Sequence, residues 1–279
     1  MSAPTLAPST RIAFIGGGNM ARAMIAGLLR AGHPARRIGV GEPQAAARHA
    51  LAQDFQVAVH ADNATALEGA RLAVLAVKPQ EMQRVLQEAA APLAQGAPLL
   101  LSIAAGLRVA SLQGWTRGLD VVRAMPNRPA LLGAGAAALY APPSVGVADR
   151  ALAETVMRSC GHTCWVQEES LLDVVTALSG SGPAYFLWLA EQMAAAATRL
   201  GLDPGVAKVL AAETLHGTGA LAHADHDLTA QRVAVTSKGG TTEAALKVLD
   251  TPATRALVEA ALRAASERSA ELSRQLTGG

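Results

Sequence analysis

The chain is poor in aromatic residues, cysteines and unbalanced charge, and each scarcity argues against a class of protein. Aromatic residues make up 3% of the 279 positions, and the net charge is +2. We therefore expect no nucleic-acid or membrane partner, since such surfaces carry basic runs with interleaved aromatics. Two cysteines and an N-terminal segment without a secretory signal favour a reducing, cytoplasmic setting over a disulfide scaffold.

Metal sites and membrane spans are also poorly supported. His162 lies between Cys160 and Cys164, but no further Cys or His cluster completes four zinc ligands, so we expect no metal. Residues 89–107 and 129–148 are uncharged over long stretches, yet Pro and Gly interrupt both. We interpret them as strand and loop pieces of a buried sheet.

Two halves of different character follow one another along the chain. Residues 10–168 alternate short apolar runs with helical patterns, which predicts a doubly wound parallel sheet. After about Glu168 the apolar residues recur at helical spacing, which predicts an all-helical domain over 169–279. The expected strands are 11–15, 38–40, 57–59, 72–77, 99–103, 121–124 and 136–140, with 164–166 as an edge strand; the longer helices are 21–30, 44–52, 80–90, 144–159, 171–178, 183–200, 205–221 and 253–276.

The segment from Arg11 to Ala21 has the pattern of a dinucleotide-binding turn. An apolar run meets Gly16, Gly18 and Ala21 at G-x-G-x-x-A spacing, and a helix-forming run follows. The first glycine allows a tight turn, and the second leaves space for a pyrophosphate at the helix N-terminus. This pattern predicts a Rossmann-type domain.

Polar residues follow several strands of that predicted sheet. Glu42 ends the second strand, where a carboxylate can accept hydrogen bonds from a ribose diol, although a solvated loop glutamate is the alternative. Lys78 follows the fourth strand, and Ser102 and Arg123 belong to the next two. Because ligands bind outside the carboxyl ends of such strands, these segments should converge on one rim.

The helical half contains two glycine-rich turns before helices. One is Ser179 to Pro183, and the other runs from Thr236 to Glu243. A Gly-Gly-Thr-Thr turn at a helix N-terminus offers several backbone donors and a favourable dipole to a carboxylate. Ordinary capping would explain one hydroxyl but not the doubled glycine and threonine.

Taken together, the segments GGGNMA, AVKP, SIAAG, RAMPN, SGSGPAY and SKGGTTEAAL resemble pyrroline-5-carboxylate reductases in order and separation, from Arg11 to about Leu272. The resemblance implies reduction of this cyclic imine to L-proline, the last step of proline biosynthesis, with NADH or NADPH. It also implies a helical domain that interlocks in a homodimer, or in a larger assembly such as a decamer. The active site is then expected between the two domains, with contributions from both subunits.

The resemblance also implies roles for individual residues. It assigns cofactor binding to Gly16, Gly18, Asn19, Met20, Ala76, Lys78, Pro79, Ala104 and Asn127. Glu42 joins this set at the ribose because of its place at the end of the second strand. It assigns the substrate carboxylate and ring nitrogen to Ser237, Gly239, Gly240, Thr241 and Thr242. The Thr242 hydroxyl is the expected catalytic group nearest the nitrogen. No His or acid is required, because a protonated imine already accepts hydride readily.

The chain departs from the family pattern at three places, and two alternatives to reduction of pyrroline-5-carboxylate remain. Lys238 stands where proline is usual, Arg128 follows the MPN element, and residues 231–235 read QRVAV. A reductase of a related cyclic imine is therefore an alternative, and a non-catalytic NAD(P)-binding sensor is another. A β-hydroxyacid dehydrogenase would need a lysine that residues 180–192 lack.

Overall fold

The structure is a computed structural model that describes residues 6–277. These residues form two compact units. The first comprises residues 6–180 together with residues 265–277, and the second is Ser181–Ala264.

The first unit is built on one eight-stranded sheet. Its strands are β1 Ile12–Ile15, β2 Ile38–Gly41, β3 Ala58–His60, β4 Leu72–Leu75, β5 Leu99–Ser102, β6 Val121–Met125, β7 Gly135–Tyr140 and β8 Gly161–Trp165. They lie in the order β3-β2-β1-β4-β5-β6-β7-β8. The first six positions follow the Rossmann order 3-2-1-4-5-6, in agreement with the predicted Rossmann-type domain.

Strand β1 shows how the core forms on both faces of the sheet. Its four residues are all buried. Ile12 and Phe14 belong to one apolar cluster, and Ala13 and Ile15 belong to another. Alternate residues of a strand point to opposite faces, so a continuous apolar run is what a sheet covered on both sides requires.

One strand departs from the expected parallel arrangement. Strand β7 runs antiparallel to β6, while β8 runs parallel to β7. The link between β6 and β7 holds only the short 3₁₀ helix Arg128–Leu132. A parallel return needs a crossover of a dozen or more residues, so this short link forces β7 to reverse direction.

The first unit contains eight α-helices among the described residues. They are α1 Asn19–Arg30, α2 Ala45–Phe55, α3 Asn63–Leu67, α4 Pro79–Glu88, α5 Ala90–Gly96, α6 Val109–Trp115, α7 Val147–Arg158 and α8 Leu171–Val175. The sequence pattern did not predict α3, α5 or α6. In α5 the residue read as a break, Pro92, lies in the first turn, where a missing N–H costs nothing. A π-helical turn, Thr176–Gly180, follows α8.

The second unit is entirely helical, as predicted. Its helices are α9 Gly182–Arg199, α10 Pro204–Ala224, α11 Leu228–Ala234, α12 Thr241–Leu249 and α13 Pro252–Thr277, the last of which ends in the first unit. Helix α11 was not predicted. Pro204 opens α10, where the Asp203 carboxylate caps the backbone N–H groups of Gly205 and Val206. Such a side-chain cap satisfies two of the four free donors at a helix start.

Candidate active site

The glycine turn between β1 and α1 has the geometry that a phosphate-binding turn needs. Gly16 has φ +96°, and a Cβ there would lie 2.9 Å from Val77 Cγ1. Gly18 is the N-cap of α1 at φ −67°, and a Cβ built on it meets nothing within 4 Å. No side chain caps α1, so its first N–H groups remain available to an anion.

Glu42 stands beside this turn, at the end of β2. Its Oε2 accepts a hydrogen bond from the Gly17 N–H at 3.1 Å, and its Oε1 accepts from the Gln44 N–H at 2.9 Å. The Arg48 guanidinium donates to the backbone carbonyls of Glu42 and Pro43, each at 2.8 Å. The carboxylate is thus held in place, and each oxygen keeps lone-pair capacity for a ligand hydroxyl.

A cleft of about 570 Å³ opens at this edge of the sheet. Five of the predicted cofactor residues line it, namely Gly16, Gly18, Glu42, Ala76 and Lys78. The lining also contains Asp62, Glu81, Arg84 and Glu88, which the sequence analysis did not single out. Arg84 donates to Glu88 at 2.7 Å. Carboxylates therefore outnumber cations along the cleft.

The other predicted cofactor residues lie outside the lining of this cleft. Asn19 is exposed at the start of α1, and Met20 packs on the core cluster that contains Phe14. Pro79 is the first residue of α4, preceded by Lys78 as N-cap. Ala104 is buried at 7% exposure in the cluster that contains Leu107. The side chain of Asn127, also buried, is bonded to backbone groups described below.

Arg123 belongs to a buried polar network that the sequence did not reveal. It is 4% exposed on β6, and its guanidinium donates to Glu169 Oε1 at 2.8 Å. The same carboxylate oxygen accepts from the Val109 N–H at 2.7 Å. Burial lowers the pKa of the Arg123 guanidinium, and the adjacent Glu169 opposes that shift. Its role at this edge is to hold the segments together.

The network continues to the end of the chain. Arg108 is ion-paired with Asp173, which is buried, and Asp173 accepts a hydrogen bond from the Ser269 hydroxyl at 2.7 Å. Two cations and two carboxylates thus balance one another around α8 and the last turns of α13. The sequence offered no signal for it, because the partners lie 46 to 96 positions apart.

The Gly-Gly-Thr-Thr turn in the second unit opens α12. Gly239 has φ +73°, and Gly240 is the N-cap with no side-chain cap. The Gly240 N–H donates to the Ser237 carbonyl at 3.1 Å. Thr242 is half-buried, while Ser237 and Thr241 are exposed. The first N–H groups of α12 therefore point out of a glycine turn, as an anion cradle requires.

Glu243 already uses one donor of this turn. Its Oε2 accepts from the Gly239 N–H at 2.5 Å, and its Oε1 contacts Lys247 Nζ at 3.1 Å. The Gly239 N–H, followed by Lys247, lowers the pKa of the Glu243 carboxyl. A glutamate three residues past an N-cap is the spacing of a capping box, which was the available sequence signal.

Residues 6–277 contain neither a candidate membrane span nor a candidate metal cluster. No helix in that range is both long enough and apolar enough to cross a membrane. The same range contains no group of three or more His, Cys, Asp or Glu side chains suited to a metal ion. Cys160 and Cys164 are free thiols, and burial raises the pKa of Cys160 to about 11, which keeps it unreactive.

Two family models match the chain. The model described as pyrroline-5-carboxylate reductase dimerisation matches residues 169–272. A second, described as NADP oxidoreductase coenzyme F420-dependent, matches residues 11–106. A pyrroline-5-carboxylate reductase of Pseudomonas aeruginosa is 45% identical over 268 residues, which cover 95% of this chain and 98% of the relative. The chain belongs to the pyrroline-5-carboxylate reductase family. It is accordingly an NAD(P)-dependent oxidoreductase that acts on a small molecule and forms homo-oligomers.

Solved structures of the family agree with the fold. A pyrroline-5-carboxylate reductase from Coxiella burnetii superposes with a TM-score of 0.90 at 37% identity, covering 95% of this chain and 98% of that one. The Plasmodium falciparum enzyme, solved with NADP bound, has a TM-score of 0.79 at 25% identity over 95% of this chain and 99% of that one. The expected Rossmann sheet followed by a helical dimerisation domain is thus confirmed.

Proposed function

We propose that this chain reduces pyrroline-5-carboxylate to L-proline, the last step of proline biosynthesis, with hydride supplied by NADH or NADPH. The observation that carries the proposal is the open turn at Gly18, set in a cleft at the carboxyl edge of the sheet of a chain 45% identical to a reductase of that name. The nicotinamide cofactor supplies the hydride. The protein supplies binding, orientation and exclusion of water.

The proposed cofactor site divides into a phosphate end and a nicotinamide side. Gly16, Gly18, Asn19 and Met20 form the phosphate turn, and Glu42 accepts from the ribose. Ala76, Lys78, Pro79 and Ala104 belong to the nicotinamide side. Asn127, the other residue expected there, follows the end of β6, and its amide is bonded to the Ala136 N–H and the Ser179 carbonyl. The fit rests on two facts: the space above Gly18 is open, and the α1 N-terminus is uncapped.

The proposed substrate site is the turn at the start of α12. The backbone N–H groups of Thr241 and Thr242, joined by that of Gly239, bind the substrate carboxylate, and the Ser237 hydroxyl adds a donor. Gly240 shapes the turn, with its own N–H bonded to the Ser237 carbonyl. Glu243 releases the Gly239 N–H when that carboxylate arrives. The Thr242 hydroxyl, half-buried in the first turn of the helix, hydrogen-bonds the ring nitrogen. This positions a protonated imine, whose reduction needs no strong acid.

The test is steady-state turnover of pyrroline-5-carboxylate and of its six-membered homologue, each with NADH and NADPH. We expect the five-membered imine to have the higher kcat/KM. A higher kcat/KM for the homologue would assign a related cyclic imine as the substrate. No turnover of either, and no proline oxidation by excess NAD(P) at high pH, would leave only a cofactor-binding sensor.

The matched variants are Gly18→Ala and Gly146→Ala. Both glycines are helix N-caps at φ −67°, and a Cβ at either meets nothing within 4 Å, so both variants should fold. Only the Gly18 methyl would stand where a pyrophosphate binds. We expect Gly18→Ala to weaken cofactor binding by roughly 100-fold, as a displaced phosphate cradle should, and Gly146→Ala to change nothing. Equal cofactor affinity in the two variants would contradict the site.

Assembly, location and domain roles complete the proposal. We propose that the smallest active species is a homodimer and that dimers associate further into a decamer in the cytoplasm. Residues 10–168 hold the dinucleotide, and residues 169–279 serve substrate binding and dimerisation, in line with the family match over 169–272. Light scattering at micromolar concentration measures the assembly, and an active monomer would contradict it.

A further inference from the structure

The side chain of Asn127 bridges two backbone segments that are far apart in sequence. Its Oδ1 accepts from the Ala136 N–H, the second residue of β7, at 2.9 Å. Its Nδ2 donates to the Ser179 carbonyl, in the π-helical turn, at 3.0 Å. The residue is only 9% exposed. Both polar atoms of the amide are therefore bonded within the protein, and little of the side chain can reach a ligand.

The turn that Asn127 holds is an unusual piece of backbone. Residues 176–180 form a single π-helical turn, a conformation that is rare and often found at functional sites. The Ser179 hydroxyl donates to the Val175 carbonyl at 3.0 Å, so this residue is bonded through both its hydroxyl and its carbonyl.

A close packing contact lies beside the hydrogen bond. A Cβ on Gly180 would come within 2.7 Å of Met125 Cε, so the last residue of β6 presses against the end of the turn. Met125 and Asn127 thus join the end of β6 to this turn by two independent contacts. The end of β6 lies at the same edge as the ends of β1, β4 and β5, since these strands run parallel.

We infer that Asn127 is a positioning residue, which locks the π-helical turn against the carboxyl end of β6 and acts on the reaction only through those backbone segments. The inference rests on the proposed function for its effect on turnover. The turn leads directly into Ser181, Gly182 and Pro183 at the start of α9. A small displacement of segments at a reaction edge lowers the rate steeply, because hydride transfer needs closely aligned partners.

The sharpest variant is Asn127→Asp. A carboxylate can still accept from the Ala136 N–H, but it faces the Ser179 carbonyl with no proton to donate. Burial and the opposed carbonyl should raise the pKa of the new carboxyl, so that acid restores the donor. We expect kcat/KM for the imine to fall on the order of 30-fold at pH 8, as for a buried acceptor left unpaired, and to recover towards the parent value as pH falls to 5.5.

The matched control is Gln113→Glu, in α6. The Gln113 amide also donates to a backbone carbonyl, that of Leu119, at 3.3 Å, and no role in the reaction is assigned to it. Its activity relative to the parent should be unchanged at every pH. Asn127→Ala removes both hydrogen bonds of the amide without adding a charge. It should lower activity at all pH values, and activity should not recover as pH falls.

Cofactor affinity and amide hydrogen exchange distinguish a positioning role for Asn127 from a role as a direct cofactor ligand. The Kd for NADH, measured by fluorescence, should stay within about threefold of the parent, and hydrogen exchange over residues 171–180 should be faster in both Asn127 variants. A Kd that rises in parallel with the loss of activity would make Asn127 a direct ligand and overturn the inference. So would unchanged activity, or unchanged exchange. The exchange measurement needs no substrate, so it tests the clamp even if the parent fails to reduce the imine.

Discussion

Replacing Glu42 by Gln should reverse the choice between NADH and NADPH. In the parent, the carboxylate is fixed by the Gly17 and Gln44 N–H groups and lines the cleft at the end of β2. A free ribose 2′-hydroxyl can donate to it, whereas a 2′-phosphate would face a like charge. We therefore expect the parent to use NADH at least as well as NADPH.

The magnitude follows from two contributions. A hydrogen bond to a charged acceptor is worth about 1.5–3 kcal/mol, and the half-buried position of Glu42 favours the lower end, so NADH should lose about tenfold in kcat/KM. Repulsion between two unit charges 4 Å apart ranges from about 1 kcal/mol in water to about 4 near a protein surface, so NADPH should gain about tenfold. The NADH-to-NADPH ratio should then shift about 100-fold. Loss of the bond to the Gly17 N–H affects both cofactors and cancels in the ratio.

The assay is kcat/KM for both cofactors at low and high salt. The repulsive part should shrink as salt rises, because the Debye length falls from about 10 Å at 0.1 M to about 3 Å at 1 M. Glu88→Gln is the matched control, since it removes the same charge from the same cleft, at the residue paired with Arg84. A parental preference for NADPH that Glu42→Gln leaves unchanged would refute the reasoning. An equal shift in the Glu88 variant would refute it as well.

Three further predictions concern turnover, stability and pH. Thr242→Ala should lower turnover by about 10- to 100-fold with unchanged NADH affinity, whereas Thr236→Ala, whose hydroxyl bonds the Arg232 carbonyl, should not; equal kinetics would move the substrate site elsewhere. Glu169→Gln leaves the buried Arg123 charge without its carboxylate and should lower the free energy of unfolding by about 2–3 kcal/mol, measured by thermal unfolding. The loss should be smaller in the double variant that also carries Arg123→Met. Burial lowers the pKa of His33. As pH drops below about 6.5, the unfolded state therefore binds a proton at His33 before the folded state does, and the free energy of unfolding should fall. Urea titration should show a smaller fall in His33→Gln.

The parts of the fold that local sequence determines were predicted. The apolar run before Gly16 and the position of Glu42 rest on strand period, turn chemistry and a fixed spacing, all of which lie within about 30 residues. The predicted direction of strand β7 was wrong, because its antiparallel pairing depends on the short link before it and not on its own composition. Helix α5 was missed because Pro92 was read as a break instead of a first-turn residue.

The residues that sequence could not reveal act through long-range partners. Glu169 looks like a surface glutamate, yet it accepts from Arg123 and from the Val109 N–H. Asn127 was expected at the cofactor from the resemblance to the family, and the bonds of its amide to the backbone at Ala136 and Ser179 were not predicted. Which partner a polar side chain finds depends on how the elements pack, and spacing along one chain carries no record of that packing.

The apolar side chains of the second unit are mostly exposed, which the helical periodicity of the sequence did not reveal. Among residues 181–264, all of which the structure describes, only Gly182 and Ala207 are buried. Phe186 is 62% exposed, Trp188 59% and Leu257 69%, although each lies on a helix rich in apolar residues.

A unit this apolar without a core of its own would be an aggregation hazard in isolation, so a second chain must cover it. The match to a dimerisation family over 169–272 identifies that cover as another copy of the same chain. The helical repeat of apolar residues is the same whether a face packs within one chain or between two, so periodicity alone predicts the helices, and the homodimer was expected from the resemblance to the family.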